Sequence, residues 1–202
     1  MKPIKTFSSV VAPIYGRNID TDQIIPARFL KMNRQVQGGY GPYLFHDSDH
    51  ARVLNSQAFK NATIVVAEQN FGCGSSREGA VYAFVDRGFQ AVLAPSFGDI
   101  FFNNCLKNGL LPIQLSESII AELFDNVEQS ERGLVLEVDL ERQEVSWEID
   151  AKTKKKYPFT LDPFWRECLL KGLDEIELTQ SYLREIEEFE QAHKRMHPWL
   201  FV

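Results

Sequence analysis

The sequence predicts an α/β fold in which helices flank a mixed β-sheet, with a helical appendage at the C-terminus. Residues 62–67 and 89–94 are short apolar runs with the length and composition of buried strands. Between them, residues 79–87 carry apolar side chains at helical spacing and stop before Gly88, which suits a helix C-terminus. Residues 133–149 instead alternate apolar and polar side chains, as in an antiparallel hairpin with one buried face. A strand, helix, strand unit and a hairpin in one chain indicate a mixed sheet.

Further elements extend the same pattern along the whole chain. Residues 6–15 and 110–115 are predicted strands, and residues 98–107, 118–126, 162–171 and 179–195 are predicted helices, the last of them capped by Thr179. No internal repeat or low-complexity linker interrupts these elements. We therefore expect one α/β domain over residues 1–151 and a helical extension over residues 152–202 that packs on the same domain.

Composition and charge narrow the classes of function. The 202 residues are 44% apolar and 12% aromatic, enough for a sizeable core. The formal net charge is −6 and no basic stripe with interleaved aromatic residues occurs, which argues against nucleic acid as a partner. No apolar run approaches the roughly 20 residues of a membrane span, and the N-terminus does not resemble a signal peptide. We expect a cytoplasmic protein without membrane association.

The cysteines and histidines do not predict a metal site on this chain. Cys73, Cys105 and Cys168 are odd in number and far apart, which fits a reducing compartment and argues against a disulfide framework. No C-x-x-C pair is present, although iron-sulphur clusters generally take closely spaced thiolates. His46 and His50 have the spacing of a zinc pair on a helix, but no third ligand follows at a fixed distance.

Residues 71–78, Phe-Gly-Cys-Gly-Ser-Ser-Arg-Glu, are the strongest candidate for a functional site. They lie where a predicted strand becomes a helix, and a helix N-terminus favours an anion such as a carboxylate or a serine that has lost its proton. Helix capping by Ser75 or Ser76, with Ser75 and Glu78 as a capping box, is the alternative explanation. Capping requires neither a second serine nor Arg77, whose planar guanidinium matches a carboxylate, so the stretch favours a binding or catalytic site.

This stretch resembles the serine-arginine loop of the swivelling domain in the aconitase superfamily, and in particular the small-subunit family of bacterial 3-isopropylmalate dehydratases. Further segments resemble the same family in the same order along the chain. They are residues 18–30, residues 95–104 with 108–112, and residues 159–174. The resemblance covers nearly the whole chain and implies an aconitase-type swivelling domain.

The resemblance also implies an activity and the residues that perform it. The activity is a hydro-lyase reaction in leucine biosynthesis, the interconversion of 2-isopropylmalate and 3-isopropylmalate by dehydration and rehydration. By residue-for-residue match, Ser75 transfers the proton, while Ser76 and Arg77 contact the substrate carboxylate. Arg28, in the N-terminal motif, is a further candidate for carboxylate binding. Serine is a weak base, so its alkoxide would need the helix dipole, backbone N–H groups and nearby positive charge.

The loop from Phe29 to Pro42 is the candidate for substrate selection, because the corresponding region in the resembled family faces the substrate's side chain. Its glycines and prolines indicate a mobile loop. Leu30, with Phe29 and Met32, would form an apolar pocket there. The same three residues could instead anchor the loop to the core.

The implied reaction needs a Lewis acid to help the hydroxide leave. No cofactor is predicted on this chain, so the resemblance implies that a [4Fe-4S] cluster lies on a partner large subunit. The two chains would form a heterodimer with a composite active site for a small hydroxy-dicarboxylic acid, and this chain would be active only with its partner.

Three other functions remain open at this stage. The chain could serve a related hydro-lyase, such as homoaconitase, 2-methylmalate hydratase or maleate hydratase. A serine hydrolase would need glycine two residues after its nucleophile, yet Arg77 and Glu78 stand in those places. A binding module without chemistry would tolerate the substitution Ser75→Ala.

Overall fold

The computed structural model describes residues 1–36, 38–75, 77–130, 133–150 and 153–200. Seven strands in this part of the chain form one sheet: β1 Thr6–Ile14, β2 Ile64–Ala67, β3 Ala91–Ala94, β4 Leu111–Gln114, β5 Val135–Asp139, β6 Glu144–Asp150 and β7 Thr153–Pro158. The helices are α1 Thr21–Ile24, α2 His50–Leu54, α3 Glu78–Arg87, α4 Asp99–Lys107, α5 Glu117–Gln129, α6 Pro163–Lys171, α7 Glu175–Gln180 and α8 Leu183–Met196. Short 3-10 helices lie at Ala27–Lys31, Gly41–Tyr43 and Pro198–Leu200.

The sheet has the order β4-β3-β2-β1-β5-β6-β7 and is mixed, as predicted. Strands β1 to β4 are parallel to one another. Strand β1 pairs with β5, β5 with β6 and β6 with β7 in antiparallel fashion. Every residue of β2 and β3 is buried, because helices cover both faces of the parallel half. This coverage explains why these two strands are continuous apolar runs in the sequence.

The sheet separates two apolar clusters, one on each face. Side chains alternate along a strand, so Ile64 and Val66 of β2 join one cluster while Val65 and Ala67 join the other. Helix α5 covers the first cluster, and helices α3 and α4 cover the second. None of the helices in the described ranges is both long and apolar enough to span a membrane.

The C-terminal region is helical from Pro163 onward, which confirms the predicted helical segment. It begins differently from the prediction, because residues 153–158 form strand β7 along the edge of β6. The predicted helix 179–195 is also wrong in its bounds, since the chain forms α7 and α8 with a break between them. Asp174 caps α7 in a capping box, whereas the Thr179 hydroxyl donates to the carbonyl of Glu175 within the helix. The domain boundary after residue 151 stays a prediction.

Candidate active site

The serine turn, which we define as residues 71–77, follows β2 and leads into α3. Ser76 lies outside the described residues. Gly72 and Gly74 have φ values of +70° and +91°, in the left-handed region that favours glycine. A Cβ on Gly72 would also overlap the ring of Phe101 in α4. The two glycines are therefore needed for the shape of the turn and for its close approach to the next helix.

Three segments that are distant in sequence meet at this turn, beside the carboxyl ends of β1, β2 and β3. The amide of Gly72 donates to the carbonyl of Ile19 at 2.8 Å, which joins the turn to the N-terminal segment. The amide of Gly98 donates to the carbonyl of Phe71 at 2.9 Å, which joins the turn to the segment after β3. Carboxyl ends of parallel strands are the usual location of ligand sites in open α/β sheets.

Ser75 lies exposed at the end of this turn, and it does not cap α3. The alternative explanation by capping does not hold for Ser75, because the helix begins at Glu78 and its N-cap residue is Arg77, which makes no side-chain capping bond. The carboxylate of Glu78 instead accepts a hydrogen bond from the side-chain amide of Asn108 at 2.8 Å. Among the described residues, none forms a hydrogen bond with the Ser75 hydroxyl. The hydroxyl is thus available to a ligand beside the positive end of the helix dipole.

Arg77 forms an ion pair with Asp22 of α1 through one guanidinium nitrogen, Nη1. The arginine side chain is 29% exposed and the aspartate 52% exposed. A guanidinium has five N–H donors, so the pair leaves others directed away from Asp22. The Asp22 carboxylate therefore orients the side chain of Arg77, which lies two residues after Ser75.

Arg28 lies in a different cluster from Ser75. Its two terminal nitrogens donate to the Asp47 carboxylate at 2.6 and 2.5 Å, and its guanidinium lies 4.5 Å from the centre of the Phe29 ring. This pairing lowers the pKa of Asp47 to about 2, with a smaller contribution from His46. No hydrogen bond or ion pair joins Arg28 to the described part of the serine turn. Its role in carboxylate binding stays a prediction.

Leu30 packs on the first turn of α3, where a Cβ on Gly79 would overlap its Cδ2 atom. This places Leu30 beside the serine turn. Phe29 is stacked on Tyr43 with a ring-centre distance of 4.3 Å, and Met32 is 46% exposed. Of these three apolar candidates for a specificity pocket, Leu30 is therefore the one with a contact to α3.

The loop after Met32 is anchored to α3 rather than free, and sequence reasoning missed the residues that anchor it. Arg34 donates to both carboxylate oxygens of Asp86, with Nε–Oδ2 at 3.0 Å and Nη2–Oδ1 at 2.8 Å. Its guanidinium also lies 3.7 Å from the centre of the Tyr82 ring. The amide of Tyr40 donates to the same aspartate at 2.8 Å. These partners are far apart in sequence, so no local pattern identified them.

The cavity of the described residues that lies nearest to the anchored loop is not lined by Ser75. A cavity of about 510 Å³ lies under the anchored loop, lined by residues that include Pro42, His46, Asn55 and Arg87. Within the serine turn, Gly74 and Ser75 are exposed, whereas Phe71 and Gly72 are buried. A reaction that needs water excluded would require a second surface to cover the turn.

The donor groups of the described residues do not fit an iron-sulphur cluster. The described residues contain no group of three or more histidine, cysteine or acidic side chains arranged for a metal ion. Cys105 and Cys168 are buried thiols, and burial raises the pKa of Cys105 well above its usual value. Cluster ligands must be thiolates, so neither side chain is suited to that role.

Comparison with known proteins identifies the family of this chain. Residues 1–118 match the family of aconitase C-terminal domains. The chain belongs to this family. The small subunit of 3-isopropylmalate dehydratase from Leptospira interrogans is 43% identical over 212 aligned positions, which cover 100% of both chains.

Comparison of structures supports the same family. The crystal structure of 3-isopropylmalate dehydratase from Methanocaldococcus jannaschii has a TM-score of 0.66 and 27% sequence identity to this chain. The match covers 91% of this chain and 99% of that one. The predicted swivelling-domain fold of the aconitase superfamily is thereby confirmed.

Proposed function

We propose that this chain is the small subunit of a 3-isopropylmalate dehydratase, a cytoplasmic hydro-lyase of leucine biosynthesis. It would interconvert 2-isopropylmalate and 3-isopropylmalate by dehydration and rehydration. The 43% identity to a dehydratase small subunit over the full length of both chains supports this assignment. The structural observation that carries it is the exposed Ser75 hydroxyl, unused in helix capping, beside Arg77 at the N-terminus of α3.

Ser75 is the proposed proton-transfer residue. A serine hydroxyl removes a proton from carbon only if its alkoxide is stabilised, and the site has three sources of stabilisation. The first N–H groups of α3 have no partner within the helix, the helix dipole is positive at that end, and the Arg77 guanidinium is adjacent. These groups lower the free energy of the alkoxide and so make proton transfer feasible.

Arg77 and Ser76 are the proposed contacts for a substrate carboxylate. A carboxylate next to the reacting carbon becomes more negative as the proton leaves, so a cation placed on it stabilises the transition state more than the ground state. The ion pair with Asp22 fixes the direction of the Arg77 side chain while leaving other N–H donors for the substrate. Arg28 is a further proposed contact.

The exposure of Ser75 supports a composite active site. We propose that a large subunit covers the serine turn, binds the other side of the substrate and carries the [4Fe-4S] cluster, which supplies the Lewis acid for hydroxide departure. Leu30 would face the branched side chain of isopropylmalate from its position against the first turn of α3. Residues 1–151 would act as the swivelling domain, with residues 152–202 as its extension.

The test is the substitution Ser75→Ala in the enzyme assembled with its large subunit. Loss of a general base lowers the turnover number by about 10²- to 10⁴-fold, while folding is unchanged because Ser75 caps no helix. Ser8→Ala is the matched control, since Ser8 is an exposed serine near the amino end of β1, whereas the serine turn lies beside the carboxyl end of that strand. Near wild-type turnover by Ser75→Ala enzyme would remove Ser75 from the chemistry and favour a binding module.

A further inference from the structure

The segment from Asn18 to Asp22 runs alongside the serine turn and is bonded to it at successive points. The amide of Asn18 donates to the carbonyl of Gln69 at 2.9 Å, just before the turn. The amide of Thr21 then donates to the carbonyl of Cys73 at 3.0 Å. These bonds fix the backbone of the turn up to Cys73, two residues before the reactive hydroxyl.

Thr21 makes one more bond, through its side chain, to Ser75 itself. The Thr21 hydroxyl, Oγ1, donates to the carbonyl oxygen of Ser75 at 2.9 Å. Thr21 is only 2% exposed, and a hydroxyl buried to this extent needs a hydrogen-bond partner. The amide of Arg77 donates to the same carbonyl at 2.8 Å. A carbonyl oxygen has two lone pairs, so it can accept both bonds, and together they hold the Ser75 carbonyl.

The element that carries Thr21 is rigid. Asp20 caps α1 in a reciprocal capping box with Gln23, with an Asp20 Oδ1 to Gln23 N distance of 2.7 Å. Ile24 and Ile25, which follow directly, are fully buried in the core. The Thr21 hydroxyl is therefore held in place by the capping box and by core packing, and it transmits that position to Ser75.

We propose that Thr21 is a positioning residue for Ser75 in the proton-transfer step. The inference rests on the proposed function of Ser75. The Thr21 hydroxyl bond fixes the carbonyl of Ser75 and so limits the backbone positions from which the Ser75 side chain can reach a substrate. Proton transfer depends steeply on this geometry, since a displacement of about 1 Å lowers rates by about 100-fold. The backbone before Ser75 contains Gly72 and Gly74, and glycine restrains the backbone conformation less than other residues do.

The test uses Thr21→Val and Thr21→Ser in the enzyme assembled with its large subunit. Valine keeps the branched shape of threonine but removes the donor, whereas serine keeps the donor. We expect Thr21→Val to lower kcat about 10- to 100-fold with KM changed less than about threefold. Thr21→Ser should remain within about threefold of wild type. Thr63→Val is the matched control, because its hydroxyl bonds the Gln90 side chain at the opposite end of β2.

A double mutant separates positioning from general stability. If Thr21 acts through Ser75, Thr21→Val should lower turnover no further in a Ser75→Ala background, since neighbours in one network are not additive. An equal further loss in that background, or an unchanged kcat per assembled heterodimer with only a lower melting temperature, would overturn the proposal. An active Ser75→Ala enzyme would refute the proposed role of Ser75 as the proton-transfer residue. A dead Ser75→Ala enzyme with full-rate Thr21→Val would refute positioning alone.

Discussion

The substitution Asp86→Ala should release the loop between Met32 and Pro42 from α3. Asp86 accepts three hydrogen bonds from Arg34 and one from the amide of Tyr40, and it is the last acidic residue of the helix. Alanine is a good helix former, so α3 itself should persist. The substitution therefore tests the attachment of the loop without removing the element to which it is attached.

The size of the effect follows from the exposure of the two side chains. Hydrogen bonds to charged groups contribute about 1.5 to 3 kcal/mol when shielded, but the Arg34 side chain is 37% exposed against 15% for Asp86. Solvent screening reduces the contribution of the ion pair to about 1 kcal/mol, and the hydrogen bond from the Tyr40 amide adds about 1 kcal/mol. The loop should therefore lose about 2 kcal/mol of stabilisation in Asp86→Ala. This corresponds to about a 30-fold larger population of the released loop.

Native-state hydrogen exchange of the loop amides measures that population. The amide of Tyr40 should exchange about 30-fold faster in Asp86→Ala, while amides of β2 and β3 should keep their wild-type rates. Asp125→Ala is the control, because Asp125 is an exposed aspartate on α5. Wild-type exchange at Tyr40 in Asp86→Ala would refute the anchoring role of the carboxylate.

Two further predictions concern the N-terminal motif. Leu30→Arg should raise KM for isopropylmalate and improve the use of a substrate with a third carboxylate, because a cation would stand where the branched group is proposed to lie. Steady-state kinetics with the two substrates measure this preference. If the preference is unchanged, the specificity pocket lies elsewhere. Asp47→Asn should lower stability through loss of the Arg28 pair, which lowers the pKa of Asp47 from 3.8 to about 2. Because the pKa of Asp47 is lowered in the folded protein, the ion pair stabilises the fold at pH values above 3.8, and this stabilisation is lost as the pH falls through about 2. The urea midpoints of the wild-type protein and of Asp47→Asn should therefore converge near pH 2. A constant difference at all pH values would contradict this pairing.

The parallel half of the fold could be predicted because its pattern is local. Strands β2 and β3 are continuous apolar runs, and α3 between them ends at Gly88, whose φ of +96° is typical of a helix C-terminus. Strand β7 could not be found in this way. Its lysines pair with glutamates elsewhere in the chain: Lys154 with Glu137, Lys155 with Glu122 and Lys156 with Glu144. Nothing within residues 153–158 indicates those partners.

The candidate site was predictable in its residue types but not in its pairings. Capping statistics favour Ser75 as the start of a helix, yet Thr21 and Asp22 hold the end of the turn in another conformation through bonds to Ser75 and Arg77. Those partners lie more than 50 positions away in sequence. The same limit applies to Arg28, whose partner is Asp47 rather than a group at the serine turn. A residue's type indicates what it can bind, whereas tertiary structure decides what it does bind.

Reconstitution with the large subunit tests the central claim most directly. The isolated chain and its cognate large subunit would be purified separately and assayed, alone and mixed, for conversion of 2-isopropylmalate to 3-isopropylmalate and for iron content. We predict no activity and no iron in the isolated chain, and activity on mixing, with all iron contributed by the large subunit. Conversion by the isolated chain, or a four-iron absorbance in it, would contradict the account.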